Sequence, residues 1–260
     1  MNRIEGKYVV ITGASSGIGR ACAEKCAALK ANLILLARRM DRLTAIKQDL
    51  EDRYGISVMA RQVDITDRKV VQAFAQELIA QSIYPDILIN NAGMASGHSK
   101  LHEGDFDAWD RMIETNIKGL LNISRTILPL MVEKNRGHVV NISSIAGHQI
   151  YPGGNVYSAT KFFTRVLTEG MNIDLMGTKI RVSCISPGMV NTEFPDVWFD
   201  GNKEMIAKVY SGYQPLEAED VADSILYVIN APEHVNVFEM FILPTAQRNS
   251  YCLYREKTQP

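Results

Sequence analysis

Short β-branched apolar runs, each ending in Gly, Asn, Asp or Ser, alternate with longer amphipathic stretches along almost the whole chain. Runs of this kind suit strands buried on both faces, and the stretches between them are long enough for crossover helices. Together they restrict the chain to an α/β fold with a mostly parallel sheet. The pattern predicts strands at 8–12, 32–37, 58–64, 87–90, 138–143, 180–186 and 237–243, and helices at about 17–30, 41–54, 67–82, 106–132, 155–176 and 217–230. Right-handed crossovers would cover both faces and put the functional crevice beyond the C-terminal ends of the strands. No repeat, low-complexity tract or linker breaks the alternation, so one domain over 1–260 is expected; only 187–214 departs from the pattern.

Composition narrows the partners. The 28 basic and 29 acidic residues leave a net charge of -1, so there is no overall positive field to gather nucleic acid or an anionic membrane. A small-molecule partner is expected. The opening MNRIEGKYVVITG has no apolar stretch long enough for a signal peptide, and no run approaches the ~18 residues that span a bilayer. Cys22, Cys26, Cys184 and Cys252 have no metal-ligand spacing, so no metal site is expected and a reducing cytoplasm is the simplest compartment.

The first predicted strand runs into TGASSGIGRA, with glycines at 13, 17 and 19. Gly13 allows a tight turn, while Gly17 and Gly19 allow a pyrophosphate to approach a helix N-terminus, where free N–H groups and the dipole favour an anion. The spacing is GxxxGxG rather than GxGxxG, and an ordinary strand-to-helix turn is the alternative for such a run. At the end of the second strand, LILLARRM puts Ala37 where an acidic residue would hold the ribose diol of NAD, with Arg38 and Arg39 next. Two guanidiniums beside a small neutral residue suit a 2′-phosphate, which favours NADP; a solvated basic turn is the alternative.

In GGNVYSATKFF, a helix beginning near Asn155 would set Tyr157 and Lys161 one turn apart on the same face. A free tyrosine, with a pKa near ~10, stays protonated at neutral pH unless a nearby cation or hydrogen bonds stabilise its anion, so Lys161 is expected to pull the phenol down. Taken alone, the pair is also a common helical spacing.

Seen together, the motifs resemble the short-chain dehydrogenases/reductases: TGASSGIG at 12–19, Asp64 after the third strand, NNAG at 90–93, Asn116 in ETNIKG, Ser144 in NISS, YSATK at 157–161 and Pro187–Gly188. Ser144 precedes Tyr157 by thirteen residues, as in that family. The resemblance runs from about residue 6 to the end. It implies a Rossmann-type doubly wound sheet of seven strands in the order 3-2-1-4-5-6-7. It also implies a catalytic set in which Tyr157 carries the proton, Lys161 tunes it and binds the nicotinamide ribose, Ser144 holds the substrate oxygen and Asn116 anchors a water relay. The cofactor contacts it implies are Gly13, Ser15, Ser16, Gly17, Ile18 and Gly19 in the turn, and Arg38 and Arg39 after the second strand. Asp64, Ile65, Asn91, Ala92 and Gly93 follow, then Tyr157 and Lys161, and finally Pro187, Gly188, Val190 and Thr192 over the nicotinamide. Asp64 is equally suited to capping the next helix, and Asn91 to ending a strand.

Within the family, GGNVYSATK, PGMVNTEF, EHVNV and PTAQ look like the NADP-dependent 3-hydroxy acid dehydrogenase branch, also described as serine 3-dehydrogenases. That implies interconversion of a small 3-hydroxy acid (serine, allo-threonine or 3-hydroxyisobutyrate type) and its 3-oxo acid. The alternative is an NADPH-dependent reductase of steroid, xenobiotic carbonyl or 3-oxoacyl substrates. A non-enzymatic dinucleotide sensor would not need all four catalytic positions. Residues 187–214 have the length and punctuation of a substrate lid, with Phe194, Trp198, Phe199 and Tyr210 available to exclude water. The lid is slightly shorter before Thr192 than in that branch and holds no arginine, which leaves His148, Asn155 or backbone amides to meet a substrate carboxylate. The tail, 244–260, is polar but carries Tyr251, Leu253 and Tyr254, and is expected to dock on a neighbouring subunit of a homotetramer.

Overall fold

The computed structural model describes residues 2–199 and 201–256. In chain order its main elements are β1 (Tyr8–Thr12), α1 (Gly17–Ala28), β2 (Asn32–Ala37), α2 (Met40–Tyr54), β3 (Val58–Gln62), α3 (Arg68–Ala80), β4 (Ile87–Asn90), α4 (Phe106–Ile113), a π-helical turn (Glu114–Gly119), α5 (Leu120–Glu133), β5 (Gly137–Ile142), α6 (Asn155–Asp174), β6 (Ile180–Pro187), β7 (Val190–Asn191), α7 (Phe194–Trp198), α8 (Lys203–Val209), β8 (Leu216–Glu217), α9 (Ala218–Ile229) and β9 (Glu239–Ile242).

Seven strands form one parallel sheet in the order β3-β2-β1-β4-β5-β6-β9. This is the expected Rossmann-type order. The seventh strand is β9 only because the short β7 and β8, which pair with each other in parallel, lie within and just after the expected lid. Alternate residues of each central strand feed separate cores. Val9, Ile11, Leu33 and Leu35 pack with α1, α2 and α9, while Val10, Ile34 and Leu36 pack with α3 and α5. That period of two explains why the strands read as unbroken apolar runs: each has a hydrophobic layer on both sides.

Helix ends follow local chemistry. Gly55, with φ of 61°, ends α2 in the left-handed region, and its N–H donates to Glu51 O. The Asp67 side chain accepts from the N–H groups of Lys69 and Val70 and starts α3 one residue later than expected. The largest departure is at 106–132, predicted as one helix. There the chain widens into a π turn around Asn116, whose amide is tied to the backbone of Met94. A side chain that clamps a neighbouring loop can stabilise such a bulge, and the apolar period continues across it, so the sequence pattern does not reveal it.

Candidate active site

The C-terminal ends of the parallel strands open into a crevice of about 910 Å³, lined from Arg38 and Asp64 through the glycine turn to Tyr157 and Trp198. Its floor is built by close backbone approach. Gly13 and Gly17 adopt φ of 66° and 51°, in the left-handed region. A Cβ on Gly19 would stand 2.5 Å from Gly13 O and 2.6 Å from Asn91 Nδ2; one on Gly17 would press on Thr192 at 3.2 Å. Gly19 therefore makes room for the turn and Asn91, and Gly17 for the segment after β6. Thr12 joins the two central strands from below, its hydroxyl accepting from the N–H groups of Asn91 and Ala92 at 3.0 Å each. No side chain caps α1, so the donors of its first turn are left to the crevice, which suits a pyrophosphate.

At the far end, α6 presents Tyr157 and Lys161 on one face, Lys161 buried and Tyr157 half-buried at the crevice wall. The Lys161 ammonium donates to Ile142 O at 3.0 Å and stands 5.9 Å from the Tyr157 ring centre. Burial pushes the Tyr157 phenol up to about 12, and its hydrogen bond with Ser144 offsets part of the rise. Burial also pulls the Lys161 ammonium down to about 8. The direction for Tyr157 is thus upward, opposite to the expected one: desolvation is the largest cause, and the Lys161 ammonium is directed at a strand carbonyl. Asn116 accepts from Met94 N at 2.9 Å and donates to Met94 O at 2.8 Å and to Thr160 Oγ1 at 3.0 Å. A Cβ on Gly93 would meet Lys161 Nζ at 3.3 Å and Asn116 Oδ1 at 3.4 Å, so these two polar atoms flank the one bare position.

At the opposite end, Arg39 donates to Ser15 Oγ and Ser16 Oγ and pairs with Glu193 at 2.9 Å, while Arg42 pairs with the same carboxylate at 2.7 Å. The two guanidiniums hold the Glu193 carboxyl below its usual range. A carboxylate already sits between two arginines here, evidence that this corner is built for an anion. These features fit a dinucleotide with an extra phosphate on its adenosine side.

Over the crevice, the Trp198 indole donates to Gly97 O at 3.0 Å, and its ring meets those of Tyr151, Phe194 and Phe199. Phe194 in turn meets Tyr157, ring centres 5.8 Å apart.

The sequence pattern of the family described as short chain dehydrogenase matches residues 7–202. The chain belongs to the short-chain dehydrogenases. Among the similar members of that family, a Schizosaccharomyces pombe protein named NADP-dependent 3-hydroxy acid dehydrogenase is 37% identical over 258 residues, 99% of this chain and 100% of that one. A Chromohalobacter salexigens protein named sulfoacetaldehyde reductase 2 is 40% identical over 240 residues, 92% of this chain and 94% of that one. A solved short-chain dehydrogenase, the closed form of serine dehydrogenase complexed with NADP+, superposes with a TM-score of 0.88 at 38% identity, covering 97% of this chain and 100% of the other.

Most of the positions expected from sequence for a short-chain dehydrogenase line this one crevice; Gly19 and Asn116 stand just behind its wall. Asp64 binds Thr66 through its N–H and hydroxyl, so it shapes a turn, and the helix cap is Asp67. His148 and Asn155 do not line the crevice. His148 faces Ser186 and Glu239, and Asn155 donates to Ser99 O. Sequence reasoning missed Arg42, Gln247 and Arg111, and named Tyr210 only as a lid aromatic. Arg42 left a signal: a second arginine in the first turn of a helix is unfavourable there unless an anion is near. Gln247, buried, accepts from Met189 N at 2.9 Å, and Tyr210 donates to Val190 O at 2.6 Å, so both pin the segment after β6. Arg111 lines the substrate end. These last three depend on contacts between distant segments, and no local pattern marks them.

The expected tail has structure through residue 256; 257–260 lie outside the described residues. It folds back on its own chain. Tyr254 N donates to Ala246 O, Ser250 Oγ to Gln149 O, and the Arg255 guanidinium to the carbonyls of Lys208, Val209 and Ser211 at the end of α8. Tyr251 and Tyr254 remain exposed. No helix among the described residues is long and apolar enough to cross a membrane.

Proposed function

We propose that the protein is an NADP-dependent oxidoreductase that interconverts a small 3-hydroxy acid, of the serine, allo-threonine or 3-hydroxyisobutyrate type, and its 3-oxo acid. The observation that carries the reading is that Ser144, Tyr157 and Lys161 line one end of a crevice, with Asn116 beside Lys161 at Gly93, while the other end holds a glycine turn and paired arginines. The names of the relatives agree with it: one acts on 3-hydroxy acids, one was solved as a serine dehydrogenase with NADP+, and one reduces a small sulfonated aldehyde.

NADP, when bound, supplies the hydride carrier. The chain's residues do the rest. Gly13 to Gly19 and the first turn of α1 would receive the pyrophosphate; Arg38 and Arg39, with Arg42 beside Glu193, would take the 2′-phosphate. Asp64 and Ile65 would hold the adenine, and Asn91 to Gly93 the ribose side. Pro187, Gly188, Val190 and Thr192 cover the nicotinamide side, a loop that Gln247 and Tyr210 hold in place. Tyr157, raised to about 12, is protonated at neutral pH and is ready to donate to the oxygen that develops negative charge during reduction. Ser144 holds that oxygen, and its help grows with the charge. In oxidation the proton acceptor would be the Tyr157 phenolate, an anion that the Lys161 charge, 5.9 Å from the ring centre, stabilises. Asn116 fixes the loop at Met94 and leaves its oxygen near Lys161 to order a relay water.

The chain is read as one domain, 1–260, with 187–214 as a lid and 244–260 as a tail, assembled as a homotetramer through surfaces that include Tyr251 and Tyr254. The free thiols Cys22, Cys26, Cys184 and Cys252 accord with a cytoplasmic protein. Substrate profiling with NADP tests the function. Turnover of L-serine or 3-hydroxyisobutyrate supports it, and activity confined to bulky neutral ketones rejects it in favour of a xenobiotic or steroid reductase.

A further inference from the structure

We propose that Arg111 is the specificity residue of this site, binding the acidic group of the substrate; the inference rests on the small-acid reading above. Among the described residues, four cations line the crevice: Arg38, Arg39, Arg111 and Lys161. Arg38 and Arg39 stand at the adenosine end, where Glu193 engages Arg39. Lys161 is directed at Ile142 O. Toward the substrate end, Arg111 faces the crevice with no carboxylate partner among the described residues. It lies in the last turn of α4 with its side chain exposed to the crevice. Among the described residues no carboxylate pairs with it, and its one hydrogen bond runs from Nη2 to Ser96 Oγ at 2.9 Å.

That bond aims the guanidinium without exhausting it. Arginine has five N–H donors in a planar fork, and most of them here are left for a carboxylate or sulfonate. Ser96 is nearly buried and accepts from Arg111, so its own hydroxyl hydrogen is available to the same anion. Position along the helix gives the reach. Thr115, one turn beyond Arg111, also lines the crevice, and the next residue, Asn116, flanks Gly93 together with Lys161 Nζ. Arg111 thus precedes Asn116 by five residues along one helical run, roughly 7 Å of rise, a separation compatible with an acid whose hydroxyl and carboxylate are separated by two carbons. The Trp198 and Tyr151 rings line the same crevice, and apolar surface beside a guanidinium strengthens a charge-assisted bond made there. The acidic residues on the crevice wall do not compete. Asp64 is held by Thr66 and Glu193 by two arginines, and among the described residues Asp196 forms no ion pair with Arg111.

The test compares wild type, R111Q and R111K with NADP and either 3-hydroxyisobutyrate or its methyl ester. In parallel, malonate is measured as a competitive inhibitor of reduction of a small neutral ketone. For R111Q the acid-over-ester ratio of kcat/KM is expected to fall about 10- to 100-fold, chiefly through the KM of the acid, and the malonate inhibition constant to rise by a similar factor. R111K, which keeps the charge but loses the fork, should recover part of both. Fluorescence titration with NADPH checks that each variant still binds coenzyme. An acid-over-ester ratio and a malonate constant unchanged in R111Q overturn the assignment. Wild type that ignores 3-hydroxy acids yet loses malonate inhibition in R111Q refutes the substrate reading and keeps the anion site. Wild type that neither turns over the acids nor responds to malonate overturns both.

Discussion

At the glycine-turn end of the crevice the walls are backbone, whereas at the lid end they are rings. Gly13, Gly17 and Gly19 sit so close to Gly13 O, the Asn91 side chain and Thr192 that no side chain fits, and Thr12 ties the turn to β4 with two hydrogen bonds. Trp198, Phe194 and Tyr151 instead meet edge-on at ring separations near 6 Å, and the lid is moored by a few bonds to Gly97, Gln247 and the tail. The first end has one permitted conformation; the second can repack. A coenzyme common to many reactions suits the former, and a substrate that differs among relatives suits the latter.

Gly19→Val should break the rigid end outright. Its added carbons collide with Gly13 O and Asn91, a kind of overpacking that costs about 1–3 kcal/mol, and coenzyme affinity is expected to fall more than about 100-fold. A thermal melt and an NADPH titration read both; a variant that binds NADPH normally would show that the close approach is not needed. Arg38→Ala combined with Arg39→Ala should raise the NADP dissociation constant about 10- to 100-fold and the NAD constant less than about threefold. A parallel rise would remove the phosphate from this corner. At the soft end, Trp198→Ala should raise the substrate KM about tenfold while NADPH affinity stays within about threefold, because it removes aromatic contacts worth about 0.5–1.5 kcal/mol each. Equal losses in both constants would erase the distinction between the ends.

The smallest effect concerns pH. Lys161 falls to about 8 in the folded chain from an ordinary 10.5. Between those values the unfolded chain holds a proton that the folded chain has released, so this group makes stability increase as pH rises through the window. Urea unfolding at several pH values should show that increase in wild type and its absence in Lys161→Met. Identical slopes would contradict the depressed value.

The same contrast explains what could be read from sequence. Glycines that permit a turn, apolar runs buried on both faces, and polar residues at strand ends are local signals, and they placed β1, β2 and β4 at their observed limits. The π turn at Asn116 was hidden because helical periodicity continues through it. Gln247 reaches Met189 across 58 residues, and Arg111 reaches Ser96 from another element, so their significance exists only in the folded chain. The reversed sign at Tyr157 has the same origin. Spacing reveals the neighbouring lysine but not the depth of burial, and burial dominates.

Single-turnover reduction by Tyr157→Phe, with NADPH affinity measured on the same preparation, tests the central claim most directly. The ring and its packing remain and only the proton carrier is lost. Hydride transfer is expected to slow at least about 100-fold while the NADPH dissociation constant stays within about threefold. A transfer rate within about fivefold of wild type would contradict a mechanism in which the Tyr157 hydroxyl supplies the proton.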